Sequence, residues 1–397
     1  MSEAVQDAGE GPELPRAARP PATEGVFCVK SPRDGKLGLA CVARRTYALG
    51  PRRLALADVQ DPLVLDPVVE RDAEGEYRTL LDDTDVIGVK HATDVVVTGT
   101  AHAPGPVTEL PIAVAAGRSA RVLRVVGERR VEVREDGSAR FTPPTPFERV
   151  PLVYDLAYGG HDVYAQRELG PRRRPGARTR RGLFGYPRNP VGRGYFLDVD
   201  RERAHGALLP MIEDPADPLT PERLFVPAPL AWIDAPVAAG LGWVAHGWYP
   251  RQARFMGPTL MHRPPARPIR EAQLGDGDDL VDLAPLDAGK VLPRCIQGAP
   301  PGLACERLRG DEAVILRNLH PAHPDLRFSL PGEAPRFSLR VPGVAKVFTP
   351  APVLQTVRIA PDRGTVSLTW CGVVRLLAAV DSDFLGRCEV AARWARG

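Results

Sequence analysis

VLQTVRIAPDRGTVSLTWCGVV, residues 353–374, decides the fold. Val357 and Ile359 alternate with Thr356 and Arg358. PDRG then supplies a turn, after which Val366, Leu368 and Trp370 alternate with Thr365, Ser367 and Thr369. A period of two sends successive side chains to opposite faces, so this text predicts an antiparallel β-hairpin with an apolar side. The same grammar returns upstream in EAVILRNL and RFSL, and far upstream in VFCVK, LACVARRTYAL, DVVVTGTAHA, SARVLRVV and RRVEVRE. In the last of these Val131 and Val133 share a face opposite Arg130, Glu132 and Arg134, and EDGS follows as a hairpin turn.

Composition agrees with a mainly β protein. Gly and Pro number 38 and 43 in 397 residues, about a fifth of the chain against a usual share of roughly 12%. Pro costs about 3 kcal/mol inside a helix and Gly about 1, which excludes a coiled coil or helical bundle. With 44% hydrophobic residues there is enough apolar surface to offset chain entropy. The formal net charge of +3 is too small to drive binding to nucleic acid or an anionic membrane as a whole. The N-terminus lacks the apolar core of a secretory signal, and no run of about 18 apolar residues occurs, so a cytoplasmic protein without membrane spans is expected.

Four regions are expected. Residues 1–24 have no period and read as a disordered tail, and residues 25–142 read as an N-terminal antiparallel β domain. Residues 143–274 form a Pro/Gly-rich, irregular stretch holding most of the Trp and Tyr. After an acidic, Gly-rich break at 275–280, residues 275–397 read as a C-terminal β region, with one short helix near DFLGRCEVAARWARG. The expected fold class is therefore mainly β, with antiparallel, sandwich-like regions flanking an irregular middle and few helices.

Candidate chemistry clusters in that middle. LVYDLAYGGHD (152–162) and YPRNPVGRGYF (186–196) carry Tyr158, Gly159 and Gly160, then Asn189, Pro190, Gly192 and Gly194. Their glycines permit positive φ or close backbone approach, while the Lys and following helix of a phosphate loop are missing. These residues are read as a loop scaffold, with the Asn189 amide fixing backbone groups. His161, Asp162 and Glu213 supply the groups for an alternative reading, an acid/base hydrolase, without a GxSxG or HExxH signature. The arginines from Arg172 to Arg181 supply another, a nucleic-acid module, although no aromatic is interleaved for base stacking. Trp243, Trp248, Tyr249 and Arg251 combine aromatics with Arg, the usual anchors of a protein interface, and core packing explains them equally well. His320 and His323 have ligand-like spacing, with Cys295 and Cys305 nearby in sequence, but no common zinc pattern results. Neither a metal nor a cofactor is expected.

Several words occur together in order: ARRTYAL (43–49), DVIGVKHATDVVVTGTAHAPG (85–105), VVGERR (125–130), PFERVPLVYDLAYGG (146–160), NPVGRGYF (189–196) and WYPRQARFMG (248–257). They resemble a bacterial accessory family of type VI secretion systems, long described only as a domain of unknown function. The resemblance runs from about residue 26 to about residue 375, and the YGG and NPxGxG pair is its most specific element. Arg45 stands where that family usually carries Lys. The resemblance implies a non-enzymatic adaptor or chaperone that binds a toxic effector and helps load it onto the VgrG or PAAR spike. It identifies no contact residues.

Overall fold

The 353–374 hairpin closes through a short 3-10 turn, Pro361–Arg363, with Gly364 at φ 64°. Val353–Ala360 pairs antiparallel with Thr365–Arg375. That second strand also pairs along its length with Leu37–Ala48, from Gly38 opposite Arg375 to Ala48 opposite Thr365. A sheet is thereby built from both ends of the chain. In the computed structural model, which describes residues 22–30, 37–71, 77–169, 184–251, 296–376 and 380–396, its order is Glu24–Lys30, Leu37–Ala48, Thr365–Arg375, Val353–Ala360, Thr93–Val97 and Ala304–Cys305. Ala55–Leu56 adds to the end of Leu37–Ala48, and Thr93–Val97 alone runs parallel to its long neighbour Val353–Ala360.

A second sheet is equally mixed in origin. Its order is Ile212–Glu213, Ser119–Val126, Glu109–Ala116, Ala313–Arg317, Asp325–Ser329 and Arg52–Arg53. Val95, Val357, Ile359 and Leu368 of the first sheet share one continuous hydrophobic core with Ile112, Val114, Leu316 and Phe328 of the second. The fold is mainly β and sandwich-like, as the alternation predicts. The β-rich ends are interleaved in both large sheets, so the regions 25–142 and 275–397 share them, each adding two-stranded pairing of its own. The middle region joins in through Ile212–Glu213, which pairs with Arg124 and Val125.

Two features differ from the sequence expectation. The polar side of the 353–374 hairpin is covered as well as the apolar one: Ser367 and Thr369 are each 3% exposed. Thr369 donates to Asp85 at 2.9 Å, Ser367 donates to Asp61 at 3.0 Å, and Arg44 lies 3.2 Å from Asp85 and 3.7 Å from Asp82. Alternation reports which residues share a face, and this face is buried because each hydroxyl meets a carboxylate and the carboxylates meet arginine. The second difference lies at the C-terminus. A helix forms over Ser382–Gly386, its first turn capped by the Asp381 side chain accepting from the Phe384 N–H at 2.7 Å, but Glu389–Arg396 is a strand. Its Ala and Arg favour helix locally, and pairing with Glu333–Arg340 overrides that preference.

Residues 143–251 begin with the strand Phe147–Pro151, paired with Thr100–Val107, and are then held by 3-10 turns at Tyr154–Leu156, Glu202–Ala204, Pro221–Arg223 and Pro229–Asp234, and by two-residue strands. A single α-helix, Val163–Leu169, occurs among the described residues of this region. No helix among the described residues is long and apolar enough to cross a membrane. Most of the 1–24 tail, the Arg172–Arg181 run, Cys295 and the 275–280 break lie outside the described residues.

Candidate functional site

Tyr158–Gly159 and Arg193–Gly194 form a parallel two-residue ladder, which brings the YGG and NPxGxG words side by side. Asn189 ties them together. It is fully buried, and its Nδ2 donates to the carbonyls of Tyr154 at 2.8 Å and Tyr158 at 3.1 Å. Its own carbonyl accepts from the Gly160 N–H at 2.9 Å. A Cβ on Gly159 would stand 2.1 Å from that same Asn189 oxygen, and one on Gly192 would stand 2.4 Å from Asn189 Nδ2 and 2.5 Å from the Ala157 carbonyl. The glycines exist here because two backbones and one amide occupy the space a side chain would need. Gly160 and Gly194 complete the crossing at φ 119° and 93°, and Pro190 sits half-buried at its turn.

Around this crossing the aromatic rings pack edge to face. Tyr158 lies 5.2 Å from Tyr186 and 6.5 Å from Tyr195, and Tyr186 lies 6.2 Å from Trp232. Burial pushes the Tyr158 phenol well above its ordinary range, with Tyr186 and Tyr195 adding to the rise. Tyr186 donates to the Pro236 carbonyl at 2.8 Å, whereas the Tyr158 hydroxyl has no hydrogen-bond partner among the described residues. A buried hydroxyl without a partner costs about 1–3 kcal/mol. Tyr158→Phe is therefore expected to leave chemical-denaturation stability unchanged or raise it by about 1 kcal/mol. A comparable loss would show that the hydroxyl has a partner the scaffold account omits.

Each of the three candidate acid/base groups is engaged by partners of its own. Asp162 is 3% exposed and takes both terminal nitrogens of Arg203 at 2.5 Å, the Leu197 N–H at 2.8 Å and the Ala165 N–H at 2.9 Å, the last capping the Val163–Leu169 helix. His161 meets Gln166 at 2.5 Å. Glu213 lies between Arg124 at 2.7 Å and Arg129 at 2.5 Å. Both carboxylates hold distant segments together. Arg203, which binds Asp162 from 41 positions away, was not singled out by any local pattern.

The aromatic candidates occupy the interior. Trp243, Trp248 and Arg251 are buried and Tyr249 half-buried, so of the two readings their text allows the structure shows the packing one. Trp248 packs edge-on against Tyr154 at 5.1 Å, Tyr249 lies 5.6 Å from Trp232, and Lys90 sits 5.4 Å from the Trp243 ring. Lys90 also pairs with Asp94 at 2.7 Å, and Asp94 accepts from Gln297 and from the Gly298 N–H, each at 2.8 Å. Arg251 donates to Asp83 at 2.7 Å and to the Val244 carbonyl at 2.6 Å, while His246 reaches the other Asp83 oxygen at 2.6 Å. Asp83 and Arg251 stand 168 positions apart in the chain, so the pairing leaves no trace in local spacing. The only hint is the acidic word DDTD at 82–85.

The neighbouring carboxylates Asp82 and Asp83 shift in opposite directions. Burial alone would raise Asp83, but Arg251 and then His246 hold it far below the usual carboxylate range. Burial raises Asp82 beyond what Arg358 and Arg44 recover, with Asp85 and Asp83 adding to the rise. The Asp83 contribution is present above its unfolded pKa of about 4 and is lost as pH falls through its depressed folded value. Protonating Asp82 has the opposite sign and stabilises the fold as pH falls through its raised value. Going from acid to neutral pH, the change in stability is therefore expected to be more favourable for an Asp82→Asn variant than for wild type, and equilibrium unfolding across that range checks it.

Among the described residues no group of His, Cys, Asp and Glu is arranged to hold a metal. His320 and His323 lie ring to ring at 4.8 Å, and Cys305 is buried against the Leu303 carbonyl. A cavity of about 210 Å³ opens elsewhere, between Glu24–Phe27, Leu63, Leu65 and the C-terminal Leu385, Cys388 and Val390.

The architecture defines a β-rich, sandwich-like body whose most specific sequence words form a buried backbone crossing. A family described as an uncharacterized protein conserved in bacteria (DUF2169) matches residues 34–371, and the chain belongs to that family. No curated protein and no solved structure matches it.

Proposed function

We propose that this protein is a non-enzymatic adaptor that binds a toxic effector and helps load it onto the VgrG or PAAR spike of a type VI secretion system. The support from sequence is the ordered set of words, above all YGG and NPxGxG, that resembles the accessory family of such systems. The observation that carries the reading is the use made of the polar groups in and around those words. Asn189 is spent on carbonyls, Asp162 on Arg203 and backbone N–H groups, and Glu213 on two arginines. Catalysis needs groups converging on a reacting atom, and these converge on the chain's own backbone and arginines. An adaptor requires such a body: rigid inside, with recognition on its surface.

Co-expression with effector toxins and with VgrG or PAAR spike proteins of type VI secretion systems tests the reading. A complex of fixed stoichiometry that survives gel filtration is the expected result. Failure of every such protein to bind, together with hydrolytic turnover abolished by His161→Ala in a folded chain, would replace it with the hydrolase reading.

A further inference from the structure

Glu333–Arg340 and Glu389–Arg396 form a two-stranded antiparallel ribbon with two different faces. The inner face is fastened to the body. Phe337 and Leu339 are buried, and the Arg45 guanidinium lies 4.2 Å from the Trp394 ring centroid. Glu333 accepts from Arg45 at 2.9 Å and from the Tyr47 hydroxyl at 3.2 Å, and Glu24 accepts from the Ala392 N–H at 3.0 Å.

The outer face presents Arg336 directly opposite Arg393, then Ser338 opposite Ala391, then Arg340 opposite Glu389. The four charged residues are exposed. Directly opposed side chains have Cβ atoms about 4.5–5.5 Å apart, and like charges there destabilise the pair. Three other exposed arginines stand against carboxylates, Arg130 with Glu128, Arg201 with Asp198 and Arg327 with Asp325. Arg336, Arg340 and Arg393 make no ion pair among the described residues. A repulsive pair on a ribbon anchored from behind is a preformed fork for anions, and guanidinium suits carboxylate bidentately.

The geometry points to this outer face as the docking surface for a carboxylate-rich segment of a protein partner, whose acidic side chains lie between Arg336 and Arg393. The inference rests on the adaptor reading and gives the partner's contact surface its chemistry. A nucleic acid fits the face less well: Trp394 is turned inward onto Arg45, which leaves the outer side without a ring on which bases could stack.

The test uses the full chain and a short peptide alternating Thr and Glu, followed by fluorescence anisotropy at low and moderate salt. The glutamate peptide is expected to bind, weakening as salt rises. Its Gln counterpart should bind about tenfold more weakly, as should the glutamate peptide to Arg336→Thr/Arg393→Thr. Removing two other exposed arginines, Arg53→Thr/Arg149→Thr, should leave binding unchanged. Equal binding of the Glu and Gln peptides to the wild-type chain overturns the proposal without any variant. So does an Arg336→Thr/Arg393→Thr chain that loses a thymidine oligonucleotide but keeps the peptide. If the peptide binds at this face but no toxin or spike protein does, the adaptor reading fails alone. If an identified toxin or spike partner binds the Arg336→Thr/Arg393→Thr chain undiminished, this docking face fails alone.

Discussion

Gly159→Ala is expected to cost about 4 kcal/mol or more and to leave residues 152–197 without their native protection from hydrogen exchange. The added methyl would meet the Asn189 carbonyl oxygen at 2.1 Å and the Asn189 Cβ at 2.9 Å, at a φ of 153°. The obstruction is backbone, so no rotamer change relieves it. Moving Asn189 away breaks its bonds to the Tyr154 and Tyr158 carbonyls, which have no water to replace them at a fully buried site. Gly206→Ala is the control. Gly206 also has positive φ, 77°, but nothing lies within 4 Å of the added Cβ, so only the left-handed penalty of about 1–2 kcal/mol is expected. Equal losses at the two positions, measured by denaturant unfolding, would show that conformation alone and not the crossing with Asn189 is what Gly159 serves.

Arg251→Met is expected to destabilise the fold by about 3–5 kcal/mol, because it leaves the buried Asp83 carboxylate without its principal counter-charge. Both side chains are fully buried, and the Val244 carbonyl loses its donor in the same step. Adding Asp83→Asn should recover part of the loss, since a neutral amide at that site costs less than an uncompensated charge. The single and double variants form a cycle with wild type. An exposed interface arginine, by contrast, would leave stability unchanged within about 0.5 kcal/mol when replaced. That outcome would restore the surface reading of the 243–251 segment.

The contrast between these two sites shows what a sequence makes legible. The 353–374 hairpin was readable because strand alternation and turn chemistry are local, and both are written within about twenty residues. A loop scaffold at YGG and NPxGxG was readable from glycine-rich text of the same kind, although only the structure brings the two words side by side and places the Asn189 amide on the Tyr154 and Tyr158 carbonyls. Pairings across the chain have no local signature. Arg251 with Asp83, Arg203 with Asp162 and Arg45 with Glu333 join residues that are silent in sequence until the sheets assemble. The Trp243–Arg251 text was ambiguous for a related reason: aromatics beside arginine describe an interface and a core equally well, and burial decides between them. Glu389–Arg396 was misleading because its Ala and Arg residues favour helix, while the weaker alternation of Val390, Ala392 and Trp394 marked the side that packs inward.

The resemblance of the ordered words, the ring-packed crossing and the committed carboxylates support one proposed account. In it the chain is a rigid body whose polar residues position each other, with the arginine face proposed as the surface for a partner. Deleting its gene and measuring export of an effector toxin that co-purifies with it tests that account most directly. The account predicts that this toxin stays in the cell while unrelated effectors of the same apparatus are still exported, and that the intact gene restores its export. Undiminished export of the toxin from the deletion strain would contradict it.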